Sequence, residues 1–341
     1  MDTRDSKKTN CFNHRDERGA VLLVVLWVVL AMSLLAVSFS ATIRTEVDAA
    51  RYLVEQKQAY YMARAGMEYA VYEILKTQSL TGGAAMGPGF AGGAIPPVMR
   101  GALSLNLTGG GVDVQIIDES GKINVNAAPD FVIFNLLIMV GMNEGAAAEV
   151  TDSILDWVDV DDMPRPLGAE LDFYLMNNPP YRTKNGPISV PEELLLIKGI
   201  TPEIFYGRKG LSRDGDPVEY FGLKKYITTF STGAAININS APVPVLAALP
   251  GLDYSAALVI DQMRREAPFT NMVQLEQGIA GLSGESSSYL GIIQSNVYTL
   301  NCAGRLDNSD VVSRIRAVVQ VDPGSPRGYR VLYWNEADSE L

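Results

Sequence analysis

No ionisable side chain occurs between Gly19 and Ile43. An apolar helix of that length, rising about 1.5 Å per residue, crosses the roughly 30 Å hydrocarbon layer of a bilayer. The run outlasts the apolar core of a cleavable secretory signal and passes without proline into a polar segment, so 20–43 reads as a retained anchor. Farther on, Tyr60, Ala63, Met67, Ala70 and Ile74 recur at three- and four-residue spacing. That period predicts one long helix over 20–78 whose outer part, 44–80, lays an apolar stripe on a folded domain.

Residues 81–101 are rich in glycine and proline and read as a loop leaving this helix. Gly87, Gly89 and Gly92 form a literal G-x-G-x-x-G there, but no strand precedes it and Pro96-Pro97 follows, so the dinucleotide reading fails on context. Apolar and polar residues alternate over 102–118 on both sides of Thr108-Gly109-Gly110-Gly111, which predicts a β-hairpin. The stretches 298–306, 311–321 and 329–334 also read as strands. The expected fold is α+β: a long N-terminal transmembrane helix packed on an antiparallel sheet from 102–119 and 296–335, with a large helical insertion at 120–295.

The insertion contains an internal echo. Ile123-Asn124-Val125-Asn126-Ala127-Ala128-Pro129 recurs as Ile236-Asn237-Ile238-Asn239-Ser240-Ala241-Pro242, and the copies reach Gly141-Met142 and Gly251-Leu252. A weaker third copy runs over 194–202. Each copy marks a helix start, with proline in the first turn and asparagine as the cap. The units resemble helix-hairpin-helix repeats. In nucleic-acid-binding versions the turn amides meet phosphate, but here Asn143 and Asp253 stand at the turns and Arg264-Arg265 is the one basic cluster, which favours packing or protein docking over DNA.

Composition narrows the chemistry. A chain of 341 residues, 47% hydrophobic, has room for about two domains and a real core. With 28 basic and 39 acidic residues the net charge is −11, a poor match to a nucleic-acid backbone. His14 is the single histidine, and Cys11 and Cys302 are the two cysteines, which excludes histidine triads, zinc-finger ligand sets and a disulfide scaffold. An anchored hydrolase, with Asp156 and Glu170 as acid and base, lacks a compact motif, so no enzyme is expected.

Eight carboxylates, Glu149, Asp152, Asp156, Asp159, Asp161, Asp162, Glu170 and Asp172, face one base, Arg165, over 149–172. Crowded oxygen donors on an irregular, proline-containing segment suit Ca2+, and Asp159, Asp161 and Glu170 fall at the first, third and twelfth places of an EF-hand loop. Met163 and Pro164 break that motif. A Ca2+ site with ligands drawn from Asp159, Asp161, Asp162, Glu170 and Asp172 and a solvated acidic face are equally good readings of the pattern.

The leader 1–19 carries Arg4, Lys7, Lys8, Arg15 and Arg18, which favours a cytoplasmic N-terminus. Arg18-Gly19 before an uncharged helix resembles the processing signal of type IV pilins and type II secretion pseudopilins. Five residues past the glycine, where most of that family has glutamate, stands Val24. Together with Asp156-Trp157-Val158-Asp159-Val160-Asp161-Asp162, Gly168-Ala169-Glu170, Pro179-Pro180-Tyr181, 189–194 and Ile236-Asn237-Ile238-Asn239, the chain resembles the K-type minor pseudopilins, which lack that glutamate. The resemblance implies a pilin-like sheet and cleavage by a prepilin peptidase between Gly19 and Ala20, with methylation of the new amine. It also implies a bacterial inner-membrane origin with a periplasmic domain, a calcium-binding insertion, and a place at the pseudopilus tip with I-type and J-type subunits. Secreted substrates or the outer-membrane secretin are further expected partners. Family members often carry a disulfide, which Cys302 cannot form within the mature chain once the leader is gone. A pilus-tip or DNA-uptake protein is the alternative.

Overall fold

The computed structural model describes residues 16–82, 102–211, 217–231, 233–271, 273, 288–293 and 295–336. Most of the expected leader and most of the Gly/Pro-rich loop, with Gly87, Gly89 and Gly92, lie outside the described residues. The elements, in chain order, are α1 (Asp16–Gly82), β1 (Ala102–Leu107), β2 (Gly110–Asp118), β3 (Ile123–Asn124), α2 (Asp130–Met139), α3 (Glu144–Val158), α4 (Leu171–Leu175), α5 (Pro202–Tyr206), β4 (Lys209–Leu211), β5 (Pro217–Glu219), β6 (Ile227–Thr228), β7 (Ile236–Asn237), α6 (Val243–Ala247), α7 (Tyr254–Glu266), β8 (Leu290–Gly291), β9 (Val297–Leu306), β10 (Val312–Val321) and β11 (Tyr329–Asn335). Two compact units divide the chain, Met1–Gln58 and Ala59–Leu341.

In the first unit, the 20–43 part of α1 is apolar and exposed on every side, Leu22, Trp27, Leu34 and Phe39 included. Ser33 and Thr42 donate their hydroxyls to the carbonyls of Val29 and Ser38 at 2.8 and 3.1 Å, which satisfies these two donors within the helix. Among the described residues α1 is the one helix long and apolar enough to cross a membrane, and it reads as a single-pass anchor. It runs unbroken through Gly19.

In the second unit, Ala59, Ala63, Met67, Ala70, Val71 and Ile74 are buried against a five-stranded antiparallel sheet of order β1-β2-β9-β10-β11. The strands alternate as a two-residue period requires: Val112 and Val114, Leu300 and Cys302, Ile315 and Ala317 all lie in this core. Gly304 on β9 permits the close approach, because a Cβ there would strike the backbone of α1 at Ala59 and Ala63. The hairpin turn is Thr108-Gly109, and Gly110 and Gly111 belong to β2 rather than to the turn.

Between β2 and β9 the chain builds a separate core around Leu136, Leu137, Ile154, Tyr174, Phe205 and Leu246. This insertion is less purely helical than expected: β3 pairs in parallel with β6, β7 in parallel with β8, and β4 with β5 as a hairpin. The echoed residues do equivalent work in both copies. Asn124 accepts from the amide of Asn126 at 3.0 Å and Asn237 from that of Asn239 at 3.2 Å. Asn126 grips both backbone groups of Ile188, at 2.9 and 2.8 Å, and Asn239 grips those of Phe269, at 2.9 Å each. The asparagines therefore brace turns instead of capping helices, and Pro129 and Pro242 are N-cap residues, one place before the first helical turn. The copies also meet, since Asn135 on α2 donates to the Ala248 carbonyl at the end of α6 at 3.0 Å.

Candidate functional site

The acidic segment takes its shape from α3. Asp152 and Asp156 lie one turn apart and accept the amides of the loop that follows: Leu167 to Asp152 at 3.1 Å, Arg165 to Asp156 at 3.1 and 3.2 Å. Lys198 donates to the carbonyls of Leu167 and Gly168 at 3.0 and 3.1 Å and lies 3.2 Å from Glu149. Asp156 is fully buried, so it is no part of a solvated face. A second loop is fastened to the same helix end by Glu193, which accepts from the Trp157 indole at 2.9 Å, from Lys184 at 2.8 Å and from the Ser189 amide at 3.0 Å. That loop turns at Asn185, whose φ is 48°, and Asn185 donates to the Asp161 carbonyl at 3.1 Å and to the Asp162 carboxylate at 2.8 Å.

Folded this way, one carboxylate oxygen each from Asp159, Asp161 and Glu170 lie within 4.8 Å of one another. Both oxygens of Glu170, Asp159 Oδ1 and Asn185 Oδ1 are buried with no hydrogen-bond donor. Burial first, then the fields of Asp156, Asp159, Asp162 and Asp161, push the Glu170 carboxyl up to about 7. Burial and Asp161 likewise raise Asp159. Crowded, buried acceptors without donors call for a positive centre, and a set of oxygens with no nitrogen or sulfur suits a hard divalent ion such as Ca2+.

Of the five ligands expected, Asp159, Asp161 and Glu170 come together. Asp162 is not in that group, although its charge reaches Glu170, and Asn185 donates to one of its oxygens; Asp172 lies outside the cluster in the first turn of α4. Asn185 is the acceptor that sequence reasoning passed over; Lys184-Asn185-Gly186 signals a turn, and its hydrogen bonds to Asp161 and Asp162 set that turn beside the acidic loop. Val24 is exposed on α1. Asn143 and Asp253 cap α3 and α7 by accepting from Ala146 at 2.8 Å and Ala256 at 2.7 Å, so the amides that a phosphate would use are taken.

Comparison with known proteins agrees with this architecture. Residues 106–207 match the family model for "Type II secretion system (T2SS), protein K". The type II secretion system protein K of Pseudomonas aeruginosa is 27% identical over 270 residues, 74% of either chain. That of Pectobacterium carotovorum subsp. carotovorum is 28% identical over 285 residues, 76% of this chain and 79% of the relative. A solved structure of the GspK-GspI-GspJ complex from enterotoxigenic Escherichia coli includes a chain with the same fold, TM-score 0.57 and 18% identity, covering 84% of this chain and 99% of that one. With the apolar N-terminal helix, the sheet assembled from both ends of the sequence and the insertion between them, the chain is similar in sequence to type II secretion system protein K over about three quarters of its length and shares the fold of the matching chain in that complex.

Proposed function

We propose that this chain sits at the tip of the periplasmic pseudopilus, joined to I-type and J-type minor pseudopilins, where it nucleates assembly and supports protein export across the outer membrane. The observation that carries this reading is the apolar face of α1 with Val24 in place of the filament glutamate. A helix exposing that much apolar surface leaves the bilayer only by packing on equivalent helices, at about 25 cal/mol per Å2 otherwise exposed to water. Without the carboxylate it has no partner for the N-terminal amine of a further subunit, so growth stops above it. The related complex of GspK with GspI and GspJ supports the choice of partners.

Prepilin peptidase frees the chain at Gly19–Ala20, and the new amine is methylated; the N-terminus starts cytoplasmic in the inner membrane and the second unit periplasmic. The role is assembly rather than catalysis. Ca2+ binds Asp159, Asp161 and Glu170, with Asn185 beside them, and neutralises the charge that otherwise strains the loop. The pairs α2–α3 and α6–α7 act as helix-hairpin-helix-like packing units, which the contact of Asn135 with Ala248 supports. The test is co-purification of the detergent-solubilised full chain with I-type and J-type subunits. Recovery of both is expected, and recovery of neither contradicts the proposal.

A further inference from the structure

A cleft of about 740 Å3 opens between the insertion and the face of the sheet turned away from α1. Asp113, Asn301 and Arg316 contribute to its floor, and Tyr206, Arg208 and Lys225 to its wall. Asn301 is the middle of the floor, paired in register with Gln115 on one side and Arg316 on the other. The volume is within the roughly 300–1,000 Å3 of pockets that enclose ligands.

In a chain of net charge −11 this lining reverses the sign. Lys122, Arg208, Lys224, Lys225 and Arg316 face a single carboxylate, Asp113, which Arg305 already engages. Lys122 is committed to Glu119, and Lys224 to Glu192 at 3.3 Å. Arg208 and Lys225 are exposed, and among the described residues neither takes part in an ion pair. The floor adds a second demand. Asn301 donates to Gln115 Oε1 at 3.2 Å, while its own Oδ1 is buried without a donor. A free carboxylate or a phosphate brings acceptors alone, whereas a peptide brings backbone N–H groups beside its acidic side chains.

We propose that this cleft binds an extended, carboxylate-rich peptide segment of another polypeptide, its acidic side chains meeting Arg208, Lys225 and Arg316 and one backbone amide donating to Asn301 Oδ1. A nucleic-acid backbone satisfies the cations but not Asn301, and the overall charge opposes a long polyanion.

Fluorescence anisotropy of the full chain in detergent, with a labelled Glu-Ala repeat peptide, its Lys-Ala counterpart and an oligothymidylate, tests the proposal. The acidic peptide binds saturably and tightest. Arg208→Glu with Lys225→Glu weakens it on the order of ten-fold or more, at an unchanged melting temperature because both side chains are exposed. Asn301→Leu weakens it while every charge is kept. Equal binding of the acidic and basic peptides, or indifference to charge reversal, overturns the proposal, as does tighter binding of the oligothymidylate. Binding that emerges only after deletion of 337–341 names Asp338 and Glu340 of this chain as the occupant and also overturns it.

Discussion

The Asp156 carboxylate fills the space that a side chain on Gly168 would occupy. Asp156 is fully buried and accepts the Arg165 amide at 3.1 Å, so the loop cannot back away without stripping a buried carboxylate of its donor. The position of Glu170, two residues on, depends on this fit.

Gly168→Ala is therefore expected to cost about 1–3 kcal/mol of stability and to abolish the rise in melting temperature on adding Ca2+. Thermal melts of the detergent-solubilised chain, with Ca2+ and with chelator, measure both effects. Melts that match the parent in both conditions contradict the fit.

Asp159→Asn and Glu170→Gln are each expected to remove most of the Ca2+-dependent stabilisation, which amounts to about 2.7 kcal/mol at a hundred-fold excess over Kd. In chelator the Glu170→Gln chain is as stable as the parent or more so, because a buried, repelled charge has gone. Asp172→Asn leaves the Ca2+ response intact. Equal responses from all three variants would return the segment to a solvated acidic face.

Glu119 supplies a pH dependence of its own. Burial works to raise its carboxyl, but Lys122 and hydrogen bonds from Thr228 and Thr299 outweigh it and hold the group below its ordinary 4.5. A depressed carboxyl contributes stability above its unfolded value and loses it as pH falls through the folded one. Glu119→Gln is expected to flatten the acid limb of the stability curve and to cost about 3–5 kcal/mol at neutral pH, since Lys122 is left buried and unpaired. Urea denaturation across pH measures this, and the double variant with Lys122→Met recovers part of the loss. An acid limb as steep as the parent's contradicts the assignment.

Cys302 reports on the packing of α1 against the sheet. Burial pushes its thiol up to about 12, so at neutral pH it stays protonated and out of reach. In a Cys11→Ser chain, where Cys302 is the one remaining thiol, maleimide labelling of the native state is expected to be negligible and to become complete in denaturant. Rapid native labelling would place Cys302 outside the core.

The helix and the main strands were readable because their periods are local: Ala63, Met67, Ala70 and Ile74 repeat along one helical face, and 102–118 alternates. The short parallel ladders were not readable. Ile123 pairs with Ile227 and Ile236 with Leu290, and two-residue strands so far apart carry no period. The echo located both units but not the work of their asparagines, which depends on Ile188 and Phe269 arriving from distant loops. At the acidic loop the carboxylates were visible, yet sorting Asp159 from Asp162 required the folded course of the loop, which gathers Asp159 with Asp161 and Glu170 and brings Asn185, at a positive φ, onto Asp162.

The central claim is a terminal subunit built on a processed apolar helix without the filament glutamate. Gold labelling of this chain in isolated pseudopili, viewed by electron microscopy, tests it most directly. The account predicts a single label at one end of each fibre, and labels spaced along the shaft would contradict it.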